Sequence, residues 1–321
     1  MSIQTRPVRT AAARTTRAPG RRGRRQEWLW CYLFLTPFLL TFLAFTAWPA
    51  LATLTWAFTD FRLPSRGLNF TGLANFQELA RDPLYWRSFA NTLIFALGNA
   101  ALKLPLSLVL AVLLTRRWIW GKRAFRTVYF LPVLVPTAVA GLIFSFLLNP
   151  LNGSIPAVLR DLGWIDLRDN LFFGSHAATM MTLIGVSVWQ ILGQYLIYWI
   201  AALEGIPDSL SEAAQIDGAS FWQELWFVTL PAIKPFAFII TLLGLVNAFG
   251  VFGIVLTLTG GGPGTQSSVM QLWVYSQAFT QTPARYGYIS AGSLIFGLLI
   301  VTLLVIQTVV TRRQGTPEAR A

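Results

Sequence analysis

Six long apolar segments, separated by polar stretches, constrain the fold of this chain more than any other feature of its sequence. They cover residues 28–58, 88–115, 125–148, 176–203, 232–258 and 287–310. A helix needs about 20 apolar residues to cross the hydrocarbon core of a bilayer, and each segment is long enough to do so. In lipid, a helix satisfies its backbone polar groups internally. We therefore predict an all-α membrane protein with six transmembrane helices.

The charge content supports the same conclusion. Charged residues make up 12% of the chain and hydrophobic residues 55%, whereas soluble domains contain about 25% charged residues. A net charge of +12 is also typical of proteins that bind nucleic acid. Here, however, the basic residues are concentrated beside the apolar segments, where they set orientation in a membrane. We therefore exclude nucleic acid as a partner and expect membrane lipid instead.

The sequence has few side chains that could form a metal site or a catalytic centre. Cys31 is the single cysteine, which excludes an internal disulfide framework and a cysteine-rich zinc site. His176 is the single histidine and lies where the fourth apolar segment starts. A membrane enzyme would need acids, bases or metal ligands at one depth, but the acidic residues lie almost entirely in loops. We expect no catalytic residues and no metal.

The distribution of Lys and Arg predicts how the chain is oriented. Sixteen of these residues lie in the two terminal tails and the loop at 116–126, and seven lie in the loops on the other side. By the positive-inside rule, both termini and the stretch 204–231 are cytoplasmic. We predict a basic, disordered cytoplasmic tail at 1–27, a transmembrane domain at 28–312 and a cytoplasmic tail at 313–321. The N-terminal tail also has features of an organellar transit peptide, but we favour a tail that contacts anionic lipid.

The stretch 204–231 is too long and too structured to be a simple connection. Ser209 and Glu212 fit a capping box at the start of a helix. Ala213 and Ala214 favour a helix whose surface can be approached closely, and Gly218 is suited to end it. The stretch is acidic although it lies on the basic side of the membrane, which suggests a docking surface for a soluble partner. A solvated surface helix is the alternative.

Several short motifs in and around this stretch resemble one family. Glu-Ala-Ala at 212–214, Asp-Gly-Ala at 217–219 and Leu-Pro at 230–231 resemble the EAA loop of ABC importer membrane subunits. The flanking motifs resemble the carbohydrate-type permeases and are Asn91-Thr92, Ile206-Pro207, Thr259-Gly260-Gly261-Gly262-Pro263 and Tyr286-Gly287-Tyr288. The resemblance covers about residues 28–312 and includes the larger membrane subunit of the maltose transporter, to which the chain is similar. We do not expect counterparts of the extra N-terminal helices and large external domain of that subunit.

This resemblance implies a type I importer permease fold and a set of partners. A second homologous permease, an ATPase dimer and an extracytoplasmic substrate-binding protein would complete the importer in a bacterial or archaeal cell membrane. The EAA loop at 204–231 would seat on the ATPase, and the coupling residues would be Glu212, Ala213, Ala214, Asp217 and Gly218. ATP and Mg²⁺ would be bound by that ATPase, with no cofactor in this chain.

The sequence also indicates that ATP is hydrolysed by another subunit. The chain has no G-x-x-x-x-G-K-[ST] phosphate loop. The glycine-rich stretch at 260–264 has no following Lys, so we interpret it as a tight turn near the external gate. We therefore expect a transport subunit without an ATPase site of its own.

Polar residues inside the apolar segments are candidates for the substrate path. Ser187, Gln190 and Gln194 recur at helical spacing in the fourth segment, beside Tyr195. Asn247 and Gly250 lie at comparable depth in the fifth segment. Amides and hydroxyls bind sugar hydroxyls, and aromatic rings stack on apolar sugar faces, so we predict a sugar or oligosaccharide as cargo. The alternative is that these side chains only join helices to one another.

Lys103 lies near the middle of the second segment. A cation at that depth costs about 2.5–3.5 kcal/mol on insertion scales. It either pairs with Asn99 or a neighbouring helix, lines water, or meets an anionic substrate. The last possibility keeps glycerol phosphate or a related phosphate ester as the alternative cargo.

Overall fold

The computed structural model of the chain describes residues 21–63, 68–115, 120–166 and 170–314. Most of the two terminal tails predicted from the sequence lies outside these residues, so the disorder predicted for the N-terminal tail stays a prediction. Within the described part, the chain is helical apart from turns and two isolated β-bridges, Thr59–Phe70 and Leu63–Ala284. The predicted all-α class is confirmed.

The chain divides into two compact units, residues 1–53 and 54–321. The first unit begins with α1 (Arg21–Phe42), followed by one π-helical stretch, Leu43–Ala47, and the start of α2 (Trp48–Trp56). The helix thus includes the last seven residues of the tail predicted at 1–27, because Arg and Gln propagate a helix well. Large apolar side chains of this unit are exposed, as expected of a surface that faces lipid.

The second unit contains the remaining helices. They are α3 (Ala74–Ala80), α4 (Pro83–Thr115), α5 (Lys122–Phe130), α6 (Thr137–Leu147), α7 (Ser154–Asp161), α8 (His176–Glu204), α9 (Asp208–Ile216), α10 (Phe221–Glu224), α11 (Leu230–Ala232), α12 (Lys234–Phe249), α13 (Gly253–Leu258), α14 (Met270–Tyr275) and α15 (Tyr286–Gln314). Three of them, α4, α8 and α15, are each long and apolar enough to cross a bilayer unbroken. Together with the stretch Trp30–Trp56, this makes four unbroken candidate spans in the described residues.

The third and fifth apolar segments do not form straight helices. Lys122–Leu134 and Thr137–Leu147 meet at an angle of 93°, and Phe221–Ala232 and Lys234–Phe249 meet at 72°. Counting each bent pair as one span gives the six that the sequence predicts. The single continuous helices expected at 125–148 and 232–258 were wrong. Proline explains the first bend, because Pro136 precedes α6 and cannot continue the hydrogen bonding of the helix before it.

The fifth segment is interrupted a second time. Helix α12 ends at Phe249, and α13 begins only at Gly253. The short helix α13 packs closely against α6, because Gly141 and Gly253 have no side chain at the contact. A Cβ at Gly253 would lie 2.8 Å from the Thr137 hydroxyl, and one at Gly141 would collide with Thr257. Small residues at membrane helix contacts allow such close packing.

The interior of the second unit is built around α4 and α8. One cluster of buried apolar side chains includes Tyr85, Phe95 and Trp273. A second cluster, towards the 204–231 stretch, includes Tyr195 and Trp199 from α8. Since α4 and α8 contribute to both clusters, they hold the polar residues described below in fixed positions between the two.

Candidate functional site

A row of buried polar side chains follows one face of α4, although the helix is apolar overall. Successive members lie one, three, four or seven residues apart, which places them on one side of a helix. They are Ser88, Asn91, Thr92, Asn99, Lys103 and Ser107, and each is at most 1% exposed. Buried polar groups need partners, so this face of α4 determines which groups from other helices lie against it.

A cavity of about 270 Å³ lies beside the middle of this row. It is bounded by α4, α6, α8 and α12 and by the interruption between α12 and α13. Five of the six predicted substrate-path residues line it, namely Ser187, Gln190, Gln194, Asn247 and Gly250. Residues from two apolar segments that lie far apart in the sequence are thereby brought together at one site.

Tyr195, the sixth candidate, lies behind the cavity wall. Its side chain is fully buried, and its hydroxyl accepts a hydrogen bond from Asn247 Nδ2 at 3.1 Å. Its ring faces Lys103, whose Nζ lies 4.1 Å from the ring centroid. Tyr195 therefore supports two residues that do line the cavity.

The polar residues of the wall also bond to protein groups. Gln190 Nε2 donates to the Val135 carbonyl at 2.8 Å, and Gln194 Nε2 donates to the Tyr198 hydroxyl at 2.7 Å. Ser187 Oγ accepts from Asn99 Nδ2 at 3.1 Å. An amide has two donor hydrogens and an acceptor oxygen, so these bonds leave each glutamine with further capacity. The bonds of Ser187 and Gln190 reach other elements of the fold, whereas that of Gln194 stays within α8. Joining helices and lining the cavity are therefore compatible roles for Ser187 and Gln190.

Lys103 is 1% exposed and reaches across to α12. Its Nζ lies 3.4 Å from the Gly244 carbonyl oxygen, in addition to its position over Tyr195. Asn99, one of the partners considered from the sequence, bonds Ser187 instead. Lys103 lines the cavity as well. Sequence reasoning missed Thr137 and Phe252 in the same wall, because both lie at breaks that the apolar pattern does not reveal.

At one end of the bundle, the stretch 204–231 folds as short helices. Helix α9 follows Pro207 directly and has no side-chain cap, so the capping box predicted at Ser209 and Glu212 is wrong. Because Pro207 already occupies the capping position, Ser209 falls inside the first turn. A capping box does form one helix later: Gln223 N donates to Ser220 Oγ at 3.5 Å, and Ser220 N donates to Gln223 Oε1 at 2.7 Å.

The residues predicted to couple to an ATPase lie on and just after α9. Glu212, Ala213, Asp217 and Gly218 are exposed, whereas Ala214 is buried. Gly218 has a φ of +76°, the left-handed conformation that ends many helices. The predicted end of the helix at Gly218 is confirmed.

Contacts on its inner side hold α9 in place. Ser211 Oγ donates to Glu224 Oε1 at 2.7 Å, which joins α9 to α10. Arg126 from α5 pairs with Glu204 at the end of α8, with 2.9 Å between Nη2 and Oε1. The exposed face of α9 is thus presented on a fixed support.

At the other end of the bundle, α4 holds the glycine-rich stretch that follows the fifth segment. Asn91 Nδ2 donates to the carbonyls of Gln266 and Ser268, both at 2.8 Å. Thr92 Oγ1 accepts from Met270 N at 2.9 Å. The Asn-Thr motif and the stretch that contains the Gly-Gly-Gly-Pro motif are far apart in the sequence. These hydrogen bonds hold them together in the fold. The stretch contains turns at glycines with positive φ, as predicted.

His176 joins the same structure, since its Nε2 lies 2.8 Å from Asn91 Oδ1. Within the described residues there is no group of three or more His, Cys, Asp or Glu side chains suited to a metal ion. Nearby, Arg285 makes two hydrogen bonds to the Glu78 carboxylate. These bonds lower the pKa of Glu78 below its ordinary value of 4.5 and raise the pKa of Arg285.

A solved structure with this fold comes from a bacterial ABC transporter. The chain superimposes with a TM-score of 0.78 on a subunit of a bacterial ABC transporter involved in the import of the acidic polysaccharide alginate. The two chains are 22% identical, and the match covers 91% of this chain and 98% of that one. The predicted importer permease fold is confirmed.

Sequence comparison gives the family. Residues 103–316 match the family described as binding-protein-dependent transport system inner membrane component. The chain is 34% identical to the probable ABC transporter permease protein YurN of Bacillus subtilis (strain 168), over 85% of this chain and 91% of YurN. It is 33% identical to the sn-glycerol-3-phosphate transport system permease protein UgpA of Agrobacterium fabrum, over 86% and 92%.

A third relative is 32% identical, over 89% of this chain and 95% of its own length. It is the probable starch degradation products transport system permease protein AmyD of Thermoanaerobacterium thermosulfurigenes. The family model and these relatives cover most of the chain, and the structure has the corresponding fold. The chain therefore belongs to the binding-protein-dependent transport system inner membrane component family, whose members are permease subunits of ABC transporters.

Proposed function

We propose that this chain forms half of the path through which an ABC importer moves a sugar or oligosaccharide across a bacterial or archaeal cell membrane. The observation that carries the proposal is the cavity between α4, α8 and α12. Its wall combines amides from Gln190, Gln194 and Asn247 with the Ser187 hydroxyl. Such groups bind sugar hydroxyls, and the neighbouring Phe252 ring suits an apolar sugar face.

The relatives support this class of cargo. AmyD is named for starch degradation products, and the solved importer of the same fold carries alginate, an acidic polysaccharide. UgpA is named for sn-glycerol 3-phosphate. A phosphate ester is therefore the second candidate cargo. The positive charge of Lys103 in the cavity also supports it, because a phosphate is negatively charged.

The exposed residues of α9 and the solved relatives support a set of partners for this subunit. Exposed Ala213 and Gly218 on the α9 side suit close contact with a cytoplasmic ATPase dimer, which would bind ATP and Mg²⁺. A second, homologous permease would supply the other wall of the path. An extracytoplasmic substrate-binding protein would deliver the cargo. An alginate transporter of this fold has been solved in complex with its pentasaccharide-bound periplasmic protein.

The proposal can be tested with the complete importer. The substrate-binding protein encoded with this chain would first be screened by calorimetry against mono-, di- and oligosaccharides and glycerol phosphates. ATP-driven uptake of the ligand found would then be measured in proteoliposomes. We expect a saccharide to bind and to be taken up. Binding of glycerol phosphates alone would favour the second candidate, and binding of neither class would overturn both.

A further inference from the structure

The cavity contains a positive charge that has no negative partner in the described part of the chain. Among the described residues that line it, Lys103 is the one charged side chain. Its Nζ contacts two neutral groups, the Tyr195 ring at 4.1 Å and the Gly244 carbonyl oxygen at 3.4 Å. The ion pairs found within those residues join other side chains. The charge is therefore stabilised by neutral groups alone.

These neutral contacts do not make the cation favourable for the fold. Placing Lys at the depth of the bilayer centre costs about 2.5–3.5 kcal/mol on insertion scales. A desolvated cation–π contact returns about 2 kcal/mol or more, and a hydrogen bond of 3.4 Å is long for an N–H donor. These contacts therefore at most offset the cost of placing the cation there. A Met side chain would fill the same space without a charge. The stability of this chain alone therefore does not explain why a lysine occupies position 103.

The surroundings of Lys103 suit an anionic ligand. Asn99 lies one turn earlier on α4 and lines the same cavity, and Asn247 lies across it on α12. Each Nδ2 carries two hydrogens. One is donated to Ser187 Oγ by Asn99 and to the Tyr195 hydroxyl by Asn247, and the second can bind an oxygen of an anion. None of the described lining residues is acidic, so nothing in this wall repels a negative charge. The long Lys stem is flexible enough to turn the ammonium from the Gly244 carbonyl towards the cavity.

We propose that Lys103 is a specificity-determining residue that binds an anionic group of the cargo. The group is a carboxylate of an acidic saccharide or the phosphate of a phosphate ester, and Asn99 and Asn247 flank it. The inference rests on the proposed function, because it takes the cavity to be part of the transport path. It narrows that function from sugars in general to cargo that carries a negative charge.

The test compares charged and neutral probes in the complete importer reconstituted with its substrate-binding protein. The probes are trigalacturonate, glycerol 3-phosphate and neutral maltotriose, and ATP-driven uptake of each is measured. We expect uptake of trigalacturonate or of glycerol 3-phosphate, and the one taken up identifies the source of the anion. Uptake of maltotriose alone overturns the inference and leaves the proposed function standing. Uptake of none of the three overturns the inference, and the calorimetric screen of the substrate-binding protein then decides the proposed function separately. This comparison needs no variant of the chain.

Variants then test whether Lys103 is the residue responsible for uptake of the anionic probe. Lys103→Met keeps the length of the side chain and removes its charge, and we expect at least a tenfold loss of anion uptake. Lys103→Arg keeps the charge and should stay within about threefold of the wild type. Leu102→Met is the matched control, because Leu102 is an exposed residue of α4 that does not line the cavity. Unchanged anion uptake by Lys103→Met overturns the inference, as does an equal loss in Leu102→Met.

Discussion

Asn247 on α12 donates a hydrogen bond to the hydroxyl of Tyr195 on α8, at 3.1 Å. The same tyrosine ring lies under the Lys103 ammonium. One buried side chain therefore connects three of the helices that bound the cavity, although it does not itself line the cavity. The position of Asn247, and with it the shape of the wall, depends on this hydroxyl.

Tyr195→Phe removes the hydroxyl and keeps the ring. We expect the protein to lose about 1 kcal/mol of stability, the usual contribution of one hydrogen bond. Cargo uptake should fall several-fold, because Asn247 is no longer held in place. Thermal melting in detergent and uptake in proteoliposomes measure the two effects. Tyr129→Phe is the control, since the Tyr129 hydroxyl has no side-chain hydrogen bond within the described residues. Equal losses in both variants would contradict the assigned role.

Ala213→Trp tests the exposed face of α9. Ala213 is exposed, so the chain should still fold and insert, but the bulky ring should hold α9 away from the ATPase. We expect transport to fall at least tenfold and ATP hydrolysis to be uncoupled from it. Gln215→Trp is the matched control, because it is also exposed and lies about 200° further around the helix. Unchanged transport in Ala213→Trp would count against the docking proposal.

Gly218→Val tests the turn that ends α9. A β-branched residue in the left-handed region costs about 1–2 kcal/mol, and the φ of Gly218 is +76°. We expect a lower melting temperature of the importer and weaker coupling of ATP hydrolysis to uptake. Gly205→Ala is the control. Gly205 has a φ of −81°, and a Cβ there would meet neighbours at ordinary distances of 3.5 Å. Its melting temperature should stay close to that of the wild type.

The Glu78–Arg285 pair predicts a dependence of stability on pH. Arg285 lowers the pKa of Glu78 in the folded state. The resulting stabilisation is present above the ordinary pKa of 4.5 and is lost as the pH falls through the lower folded value. The pair is partly exposed, so we expect at most about 1 kcal/mol. The melting temperature of Glu78→Gln should lie below that of the wild type at pH 7, and the difference should shrink below about pH 4.

Asp161→Asn is the matched control for this titration, because Asp161 is exposed and lies on α7, away from Arg285. Its melting temperature should follow that of the wild type over the same pH range. A difference in melting temperature between Glu78→Gln and the wild type that stays constant down to pH 3 would contradict this prediction. It would show that the carboxylate charge is not the source of the stabilisation.

The sequence was sufficient to predict the fold class and the approximate positions of the spans, because lipid requires long apolar helices. It was not sufficient to predict their bends. The apolar run continues on both sides of Pro136, so hydropathy does not distinguish a straight span from one that turns by 93° at Pro136. The break at residues 250–252 was missed for the same reason.

Part of the candidate site followed from helical spacing alone. Ser187, Gln190 and Gln194 were predicted to share one face of a helix, and the structure places all three at the cavity. Which helices complete the wall depends on tertiary packing, so the roles of Thr137 and of Tyr195 behind the wall were not predictable. The misplaced capping box has a local cause. Ser209 and Ser220 both fit the sequence pattern, and only the position of Pro207 decides between them.

The gap between α12 and α13 means that main-chain atoms form part of the cavity wall. Gly250 and Val251 line the cavity there without belonging to either helix. Substitution exchanges side chains but keeps every peptide group. Changes in cargo preference among relatives of this chain should therefore arise mainly through α4 and α8, while the peptide groups of the gap offer the same polar contacts to each cargo.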